Sequence, residues 1–357
     1  MVKLMTQQVQ ETTAATAAAN QKDDVLLEVK DIKTYFHIGK NRVIKAVDGV
    51  NFTLKKGHVL GIIGESGSGK SVTSRTIMRI VDAPGKIEGG EVYFKGRNLL
   101  ELSEKEMAKI RGSQISLIFQ DPTTSFNPYM TIGSQMIQAY KVHRPKASKE
   151  ECTEKCREAL HLVGINNWQD VMGRYPCEFS SGFRQRMFIA MSMIFKPDLL
   201  IADEPTTSLG ITIQAEIIQA LTEVKNQVGN SVIIITHDFG VVSQFSDDIF
   251  VMYAGRCVES SPKKELLLHP HHPYTVGLIR SVPLLEARKT KRLKSIKGFP
   301  PDMANPPKGC AFASRCEWAQ EKCFQCQPEL VDCGEGRKVA CHYPLMDYNT
   351  ADDTSLD

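Results

Sequence analysis

The chain has 357 residues, of which 42% are apolar and 24% are charged, with a formal net charge of +3. These are ordinary proportions for a globular protein, and the near balance of charge gives no reason to expect a nucleic-acid partner. No stretch reaches the roughly 18–20 uninterrupted apolar residues that span a bilayer, so we expect no transmembrane segment. Residues 1–23 lack the apolar core of a secretory signal. They are predicted to be a disordered tail, and the lack of a secretory signal favours residence in the cytoplasm.

Short apolar runs that predict buried strands alternate with helical segments. An alternating stretch begins at Val25, and the runs 58–63, 198–202 and 231–236 are mostly apolar. The segment 121–194 mixes charged and apolar residues at helical spacing. Strands that alternate with helices predict an α/β fold, a parallel sheet covered on both faces.

Composition divides the chain into a large domain and a smaller C-terminal part. Residues 24–260 are predicted to form the α/β domain, with a helical subdomain at about 121–195. After Ser260 prolines interrupt the regular pattern, a basic stretch follows, and cysteines accumulate. We therefore predict a C-terminal extension over residues 261–345 and a tail over residues 346–357.

The cysteines are unevenly distributed. Six of the ten lie between Cys310 and Cys341, and the other four are scattered. In a reducing compartment a crowded group is more often a metal site than a disulfide framework. The extension is therefore a candidate metal site.

A glycine-rich segment follows the predicted strand at 58–63. Residues 64–71 read Gly-Glu-Ser-Gly-Ser-Gly-Lys-Ser, which fits the phosphate-loop pattern completely. The glycines allow backbone N–H groups to turn toward phosphate oxygens, and the next helix directs its positive end at the anion. We expect Lys70 to reach the β- and γ-phosphates and Ser71 to hold Mg²⁺.

Two adjacent carboxylates end the predicted strand at 198–202. Asp203 and Glu204 point opposite ways, because successive strand residues face opposite sides. Asp203 is expected to orient Mg²⁺, and Glu204 to polarise the water that attacks the γ-phosphate. A lone Asp-Glu pair is usually a solvated strand end, but the phosphate loop upstream favours the catalytic interpretation.

Two further polar residues each follow a predicted strand. His237 ends the run 231–236, where an imidazole is placed to contact a γ-phosphate, although a single histidine there is more often structural. Gln120 follows an apolar triplet and is also compatible with ordinary surface. Neither residue decides the function by itself.

Together these residues closely resemble the nucleotide-binding domains of ABC transporters, whose motifs occur in the same chain order. By this resemblance, residues 64–71 correspond to the Walker A motif and residues 199–204 to the Walker B motif with its catalytic glutamate. Residues 180–185 correspond to the signature region. Gln120 corresponds to the Q-loop glutamine and His237 to the switch histidine. It implies catalytic roles for Glu204, His237 and Gln120, and a Mg²⁺ contact for Gln120 beside that of Ser71. The implied nucleotide-binding residues are Phe36, Gly64, Ser66, Gly67, Ser68, Gly69, Lys70, Ser71, Val72 and Asp203, with Tyr35 as an alternative to Phe36 for stacking on adenine. The implied signature contacts to a partner's ATP are Ser180, Ser181, Gly182 and Phe183.

Other segments resemble the ATP-binding subunits of oligopeptide, dipeptide and nickel importers. They are residues 119–128, 202–207, 252–255, 271–275, 309–316 and 339–342. In that family two related ATPases pair beneath two membrane permeases, supplied by an extracytoplasmic substrate-binding protein. The resemblance implies a peripheral ATPase at the cytoplasmic face of the inner membrane that powers peptide uptake, with residues 120–128 receiving the permeases. Nickel or glutathione import is the alternative.

Two positions depart from the family pattern. Ser181 stands where the signature normally has glycine, and Gly210 where the loop after Walker B normally has aspartate. Both motifs act across the interface between two paired ATPases, so each ATP site is a composite of residues from both chains. We expect one of these two composite sites to be impaired. If position 181 requires a positive φ, serine costs roughly 1–2 kcal/mol there. A homodimer would carry the impairment at both sites, so a single impaired site favours a heterodimer. The impaired site would then bind ATP and largely not hydrolyse it.

The resemblance also assigns cysteines. In the peptide-importer family, cysteines at the positions of Cys310, Cys316, Cys323 and Cys341 are implied ligands of an iron–sulfur cluster. Four thiolates satisfy either a [4Fe–4S] cluster or tetrahedral zinc, so both stay open, as does the absence of a metal. Cys326 forms a Cys-x₂-Cys pair with Cys323, which is compatible with zinc.

Other classes of ABC protein fit less well. DNA-repair ABC ATPases place coiled coils or zinc inserts inside the ATPase domain. Here only about 130 residues separate Lys70 from Asp203, and the crowded cysteines follow the domain. Translation-factor types need two ATPase domains in one chain. A subunit that binds ATP without hydrolysing it is disfavoured by Glu204 and His237.

Overall fold

The computed structural model describes residues 24–39, 42–121, 125–207, 209–282 and 295–353. The predicted tail at 1–23 lies outside these residues, as do parts of the predicted basic stretch and of the C-terminal tail. Residues 122–124 and Ser208, which belong to two of the quoted motifs, also lie outside them.

The strands of the described chain form two sheets. Their bounds are β1 Val25–Ile38, β2 Arg42–Lys55, β3 Val59–Ile63, β4 Gly85–Phe94, β5 Arg97–Asn98, β6 Ile115–Ile118, β7 Leu199–Asp203, β8 Ser231–Thr236, β9 Asp248–Tyr253, β10 Arg256–Pro262, β11 Val331–Gly334 and β12 Arg337–Val339. One sheet is antiparallel, in the spatial order β2-β1-β4-β5. The other is mixed, in the order β11-β12-β10-β9-β3-β8-β7-β6.

The helices lie between and around these strands. They are α1 Lys70–Ile77, α2 Glu104–Ile110, α3 Ile132–His143, α4 Lys149–Leu162, α5 Trp168–Gly173, α6 Ser181–Ser192, α7 Ile211–Val228, α8 Phe239–Phe245, α9 Lys263–Leu268, α10 Pro273–Arg280 and α11 Glu321–Gln325. Helices α3 to α6 fill the segment where the sequence predicts a helical subdomain. Three of them begin at hydroxyl N-caps, Thr131, Ser148 and Ser180, whose oxygens accept backbone N–H groups of the first turn.

Five strands, β6, β7, β8, β3 and β9, run parallel in the mixed sheet. They are buried on both faces, which explains their nearly continuous apolar sequences. Alternate residues enter different cores: Ile201 and Ile233 pack with the antiparallel sheet, whereas Leu200 and Val232 pack with the helices. The predicted α/β fold, with a parallel sheet covered on both faces, is confirmed.

The antiparallel sheet covers one face of this core and was not predicted beyond its first strand. β1 and β2 pair from Val25 opposite Lys55 to Ile38 opposite Arg42. Several shifts of register interrupt the pairing. Each shift turns the following side chains to the other face, so the sequence does not show one continuous alternation.

The C-terminal extension joins the mixed sheet directly. β12 pairs with β10, and β10 runs across the predicted domain boundary at residue 260. A third hydrophobic cluster unites Ile63 and Tyr253 of the parallel strands with Tyr274 and Phe312 of the extension. The extension therefore packs beside the strand that leads into the phosphate loop. Within the described ranges, no helix has the length and apolarity that a membrane crossing requires.

Candidate functional site

Tight backbone geometry fixes the loop between β3 and α1. Gly69 caps α1 in a left-handed conformation with φ of 100°. A Cβ there would lie 2.3 Å from the carbonyl oxygen of Ala46, so only glycine fits. Lys70 Nζ donates to the carbonyl oxygens of Gly64 and Glu65, at 2.7 and 2.9 Å. Burial lowers the pKa of Lys70, and the neighbouring carboxylates partly oppose this effect.

Ser71 and Asp203 form a pair of hard oxygen ligands at the start of α1. Ser71 Oγ donates to Asp203 Oδ1 at 2.8 Å, and Ser74 Oγ lies 3.4 Å from the other carboxylate oxygen. Asp203 is buried, which raises its pKa. Hydroxyl and carboxylate oxygens are the ligands that Mg²⁺ prefers, so this pair is chemically able to hold the ion.

Glu204 directly follows β7 and adopts an uncommon backbone conformation. Its φ is 48°, and its N–H donates to the carbonyl oxygen of Ile235 on β8 at 2.8 Å. A left-handed conformation costs a residue with a Cβ about 1–3 kcal/mol, and such residues cluster where a function requires them. The bend turns the Glu204 side chain out of the strand direction.

Three side chains converge on one carboxylate oxygen of Glu204. Thr207 Oγ1 donates to Oε2 at 2.8 Å, Gln120 Nε2 donates at 3.1 Å, and His237 Nδ1 lies 3.5 Å away. The side chain of Glu204 is 13% exposed and that of His237 is 58% exposed. The structure thus brings together the three residues that the sequence predicts as catalytic. Thr207 was not predicted, although a hydroxyl three residues after Glu204 in a turn was a usable signal.

An open cleft of about 770 Å³ connects these groups, and its volume is within the range of small-molecule sites. Its described lining is Phe36, Ile38, Ile44, Ala46, Glu65, Ser66, Gly67, Gly69, Lys70, Ser71, Val72, Pro84, Gln120, Glu204 and His237. The predicted residues Gly64, Ser68 and Asp203 are buried and do not line it. The lining combines an apolar part from β1 and β2 with a polar part from the phosphate loop.

The structure separates the two aromatic candidates. Phe36 lines the cleft, whereas Tyr35 Oη donates a hydrogen bond to Asp48. Neighbouring strand residues face opposite sides, so only one of the two reaches the cleft. Phe36, the first choice from the sequence, is the one in position to contact a flat ring there.

The signature residues lie outside this cleft. Ser180 caps α6, and Ser181 is the first residue of that helix. Ser181 is not among the residues with positive φ, so the condition for a backbone-strain cost at this position is not met. Gly182 is constrained instead, because a Cβ there would lie 2.3 Å from Ile213 Cγ2.

Gly210 is the second departure from the family pattern. It caps α7 with φ of −66° and ψ of 154°, without a side-chain capping bond. An added Cβ would meet nothing within 4 Å in the described chain. Neither backbone conformation nor space within this chain requires glycine at this position.

The four predicted cysteine ligands line one small cavity in the extension. They are Cys310, Cys316, Cys323 and Cys341, and Cys326 and Cys333 are not in this lining. The Cys310 N–H donates to the Cys323 carbonyl oxygen at 2.7 Å, which ties the loop before the turn Ala313–Arg315 to α11. Burial raises the pKa of Cys316 and of Cys341 to about 11.

The metal expectation gains no support from ion-binding geometry. No group of three or more His, Cys, Asp or Glu side chains in the described part of the chain is arranged to hold a metal ion. The cluster and zinc assignments stay predictions.

Comparison with known proteins identifies the family of this chain. Residues 47–207 match the ABC transporter family, and residues 258–323 match the family described as the oligopeptide/dipeptide transporter C-terminal region. The oligopeptide transport ATP-binding protein OppD of Bacillus subtilis is 47% identical over 306 residues, 85% of each chain. The chain belongs to the ABC transporter family. OppD of Escherichia coli is 44% identical over 333 residues, which cover 93% of this ATP-binding subunit and 97% of the relative.

A solved structure agrees with this assignment. The dimeric ATP-binding cassette MJ0796, in a post-hydrolysis state bound to ADP and Pi, superposes with a TM-score of 0.59 at 26% identity. The match covers 67% of this ATP-binding subunit and 99% of that chain. The subunit is an ABC-type ATPase of the oligopeptide/dipeptide importer group. It uses ATP and Mg²⁺ and works with membrane permeases.

Proposed function

We propose that this ATP-binding subunit hydrolyses ATP to power the uptake of peptides through an ABC importer. One observation carries the catalytic part: Gln120, Thr207 and His237 surround one oxygen of Glu204. A carboxylate held in this way is oriented to polarise a water molecule. The peptide part is supported by the OppD relatives and by the match of residues 258–323.

Each group of the cleft has a role in this proposal. Backbone N–H groups of residues 64–69 and the Lys70 ammonium neutralise the β- and γ-phosphates. Ser71 and Asp203 would hold Mg²⁺, with Gln120 as a further contact, and the ion would neutralise negative charge on the phosphates. His237 contacts the γ-phosphate, and the Phe36 ring stacks on adenine. The 2.8 Å Ser71–Asp203 bond and the position of Phe36 in the cleft support these assignments.

The proposed site is completed by a second ATPase. Ser180, Ser181, Gly182 and Phe183 do not line this subunit's own cleft, which agrees with a signature that faces a partner's ATP. We propose a head-to-tail heterodimer with a related ATPase, beneath two permeases at the cytoplasmic face of the inner membrane. An extracytoplasmic binding protein supplies the substrate. Ser181 and Gly210 are the residues through which one composite site of this heterodimer is impaired.

We also propose that the cysteine cavity holds a [4Fe–4S] cluster. Four thiols line one cavity whose other walls include Phe312 and Trp318, while Cys326 and Cys333 are excluded. A single tetrahedral zinc ion needs its ligands about 2.3 Å from one point. Four thiolates are also the usual ligands of a [4Fe–4S] cluster. The preference for the cluster comes from the resemblance of the extension to that of the peptide importers. The cluster would cross-link the extension, since transport driven by ATP needs no redox step.

Reconstitution tests the transport proposal. The subunit, its partner ATPase and the two permeases are placed in proteoliposomes with the binding protein, and uptake of labelled peptides is compared with uptake of glutathione and of a nickel chelate. We expect ATP-dependent uptake of peptides that is abolished by Glu204→Gln. Uptake of glutathione or nickel in place of peptides would contradict the substrate assignment and favour the alternative importer.

Metal analysis tests the cluster. Anaerobically purified protein should be brown, absorb broadly in the visible range, and contain iron and inorganic sulfide in equal amounts. Protein that contains zinc and no iron would overturn the cluster assignment, and metal-free protein would leave the cysteines a structural role.

A further inference from the structure

Glu65 of the phosphate loop contacts two residues of the C-terminal extension. Its backbone N–H donates to Tyr274 Oη at 2.8 Å. Its carboxylate accepts two hydrogen bonds from the Arg315 guanidinium, at 2.6 and 2.9 Å. Its carbonyl oxygen accepts from Lys70 Nζ at 2.9 Å. One loop residue therefore connects the extension to the lysine of the nucleotide site.

The Arg315–Glu65 ion pair is largely withdrawn from solvent. The Arg315 side chain is 4% exposed and that of Glu65 is 27% exposed. Arg315 also donates to Tyr253 Oη at 3.2 Å and to the Lys297 carbonyl oxygen at 2.9 Å. A two-pronged guanidinium–carboxylate pair fixes both distance and orientation, and removal of one partner leaves a poorly solvated charge.

An aromatic platform supports these contacts. The rings of Tyr253 on β9, Tyr274 on α10 and Phe312 beside the cysteine cavity lie 4.6–5.4 Å apart, and all three residues are buried. Two of the three belong to the extension. The hydroxyl of Tyr274 is therefore held at a fixed position against the loop by packing, with little freedom to follow the loop if it moves.

We propose that Arg315 and Tyr274 are positioning residues of the phosphate-binding loop, through which the C-terminal extension holds the loop in its ATP-binding conformation. The inference rests on the proposed function and adds a role for the extension in that same site. A loop that binds phosphate through backbone N–H groups gains affinity when its conformation is fixed before binding. Glu65 is the residue where this constraint enters.

ATP affinity of the purified full-length chain is the first test. Binding of Mg-ATP is measured by equilibrium dialysis, with thermal unfolding recorded in parallel. We expect Arg315→Ala to weaken ATP binding roughly tenfold, because it removes both hydrogen bonds that hold the Glu65 carboxylate. Arg337→Ala is the matched control, because Arg337 forms a 2.7 Å ion pair with Glu265 in the same extension without touching the loop.

Two conservative variants cover the case in which Arg315→Ala fails to fold. Tyr274→Phe keeps the ring of the platform and removes the acceptor of the Glu65 N–H. Arg315→Lys keeps the charge and removes the second prong of the pair. We expect both to weaken ATP binding several-fold. In the assembled transporter, KM for ATP should rise while kcat changes little. A loss of folded protein would instead lower the apparent kcat and leave KM unchanged.

A double-mutant cycle decides whether the effect passes through the ion pair. If it does, Arg315→Ala should add little to the loss already caused by Glu65→Ala. Unchanged ATP affinity in Tyr274→Phe and Arg315→Lys, or an equal loss in Arg337→Ala, would overturn the inference. A wild-type chain that binds no Mg-ATP would instead refute the proposed function, so the two failures are distinguishable.

Discussion

The nucleotide cleft and the cysteine cavity are both small clusters of reactive side chains, but the fold assembles them differently. In the cleft, the carboxyl ends of parallel strands lie at one edge of the sheet. Asp203 and Glu204 lie at the end of β7, His237 follows β8, and Lys70 follows the loop after β3. Backbone pairing sets the distances between them. The four cavity cysteines lie in loops and in one short helix, where side-chain packing sets the distances.

This difference has an energetic consequence. The sheet that supports the cleft stays intact when one polar side chain is changed, so substitutions there should affect chemistry more than stability. The cysteine cavity has no such scaffold, so substitutions there should affect the stability of the extension first. Four experiments test this contrast, in order of decreasing expected effect.

Glu204→Gln should have the largest effect. The amide keeps the size of the side chain and removes the charge that polarises water, so turnover of the assembled transporter should fall about 10²–10⁴-fold. ATP binding and thermal stability should stay close to wild type. Phosphate release and Mg-ATP binding are measured on the same preparation. Undiminished turnover would remove Glu204 from the catalytic role.

Cys316→Ser tests the second region. We expect loss of the iron and of the visible absorption, together with a lower melting temperature, about 2–4 °C for each kcal/mol of stability lost. Cys326→Ser is the matched control, because Cys326 lies outside the cavity lining. Equal iron content in the two variants would show that the cavity does not define the ligand set.

Phe36→Ala should have an intermediate effect on the cleft. Stacking of a base on an aromatic ring contributes about 1–3 kcal/mol, so ATP affinity should fall roughly tenfold. Tyr35→Phe is the neighbouring control: it removes the hydrogen bond to Asp48, which should lower stability without changing affinity. If Tyr35→Phe weakened ATP binding more than Phe36→Ala, the assignment of the two rings would be reversed.

Gly210→Asp should have the smallest effect. The backbone at this N-cap suits aspartate, and the space around an added Cβ is open. A carboxylate that accepts N–H groups of the first turn should stabilise the subunit by a few tenths of a kcal/mol, about the difference between glycine and aspartate at an N-cap. Chemical denaturation of the isolated chain measures this, and a destabilised variant would show that glycine is required there.

The loss of the strain argument at Ser181 changes the expectation for the composite site. Serine occupies the first turn of α6 without positive φ, so any impairment has to come from contact with the partner's nucleotide. Whether the two composite sites differ stays a prediction. Separate Walker B substitutions in each ATPase of the heterodimer are the direct test.

The sequence by itself determined the parallel core and most of the cleft. A buried strand needs a continuous apolar run, and a phosphate loop needs glycines at fixed spacing, so both are visible locally as 231–236 and 64–71. The roles of Gln120 and His237 came from the resemblance to ABC transporters, and the structure places both side chains beside Glu204.

Only the tertiary structure decided the rest. Shifts of register between β1 and β2 interrupt the alternation of apolar and polar residues, so the sequence did not predict the antiparallel sheet. The choice of Phe36 over Tyr35 depends on which face of β1 lines the cleft. The contact of Arg315 with Glu65 joins residues that are 250 positions apart in the chain. No local pattern encodes such a pair, because it arises when the extension packs against the sheet. A contact made by packing between distant segments becomes visible only in the folded chain.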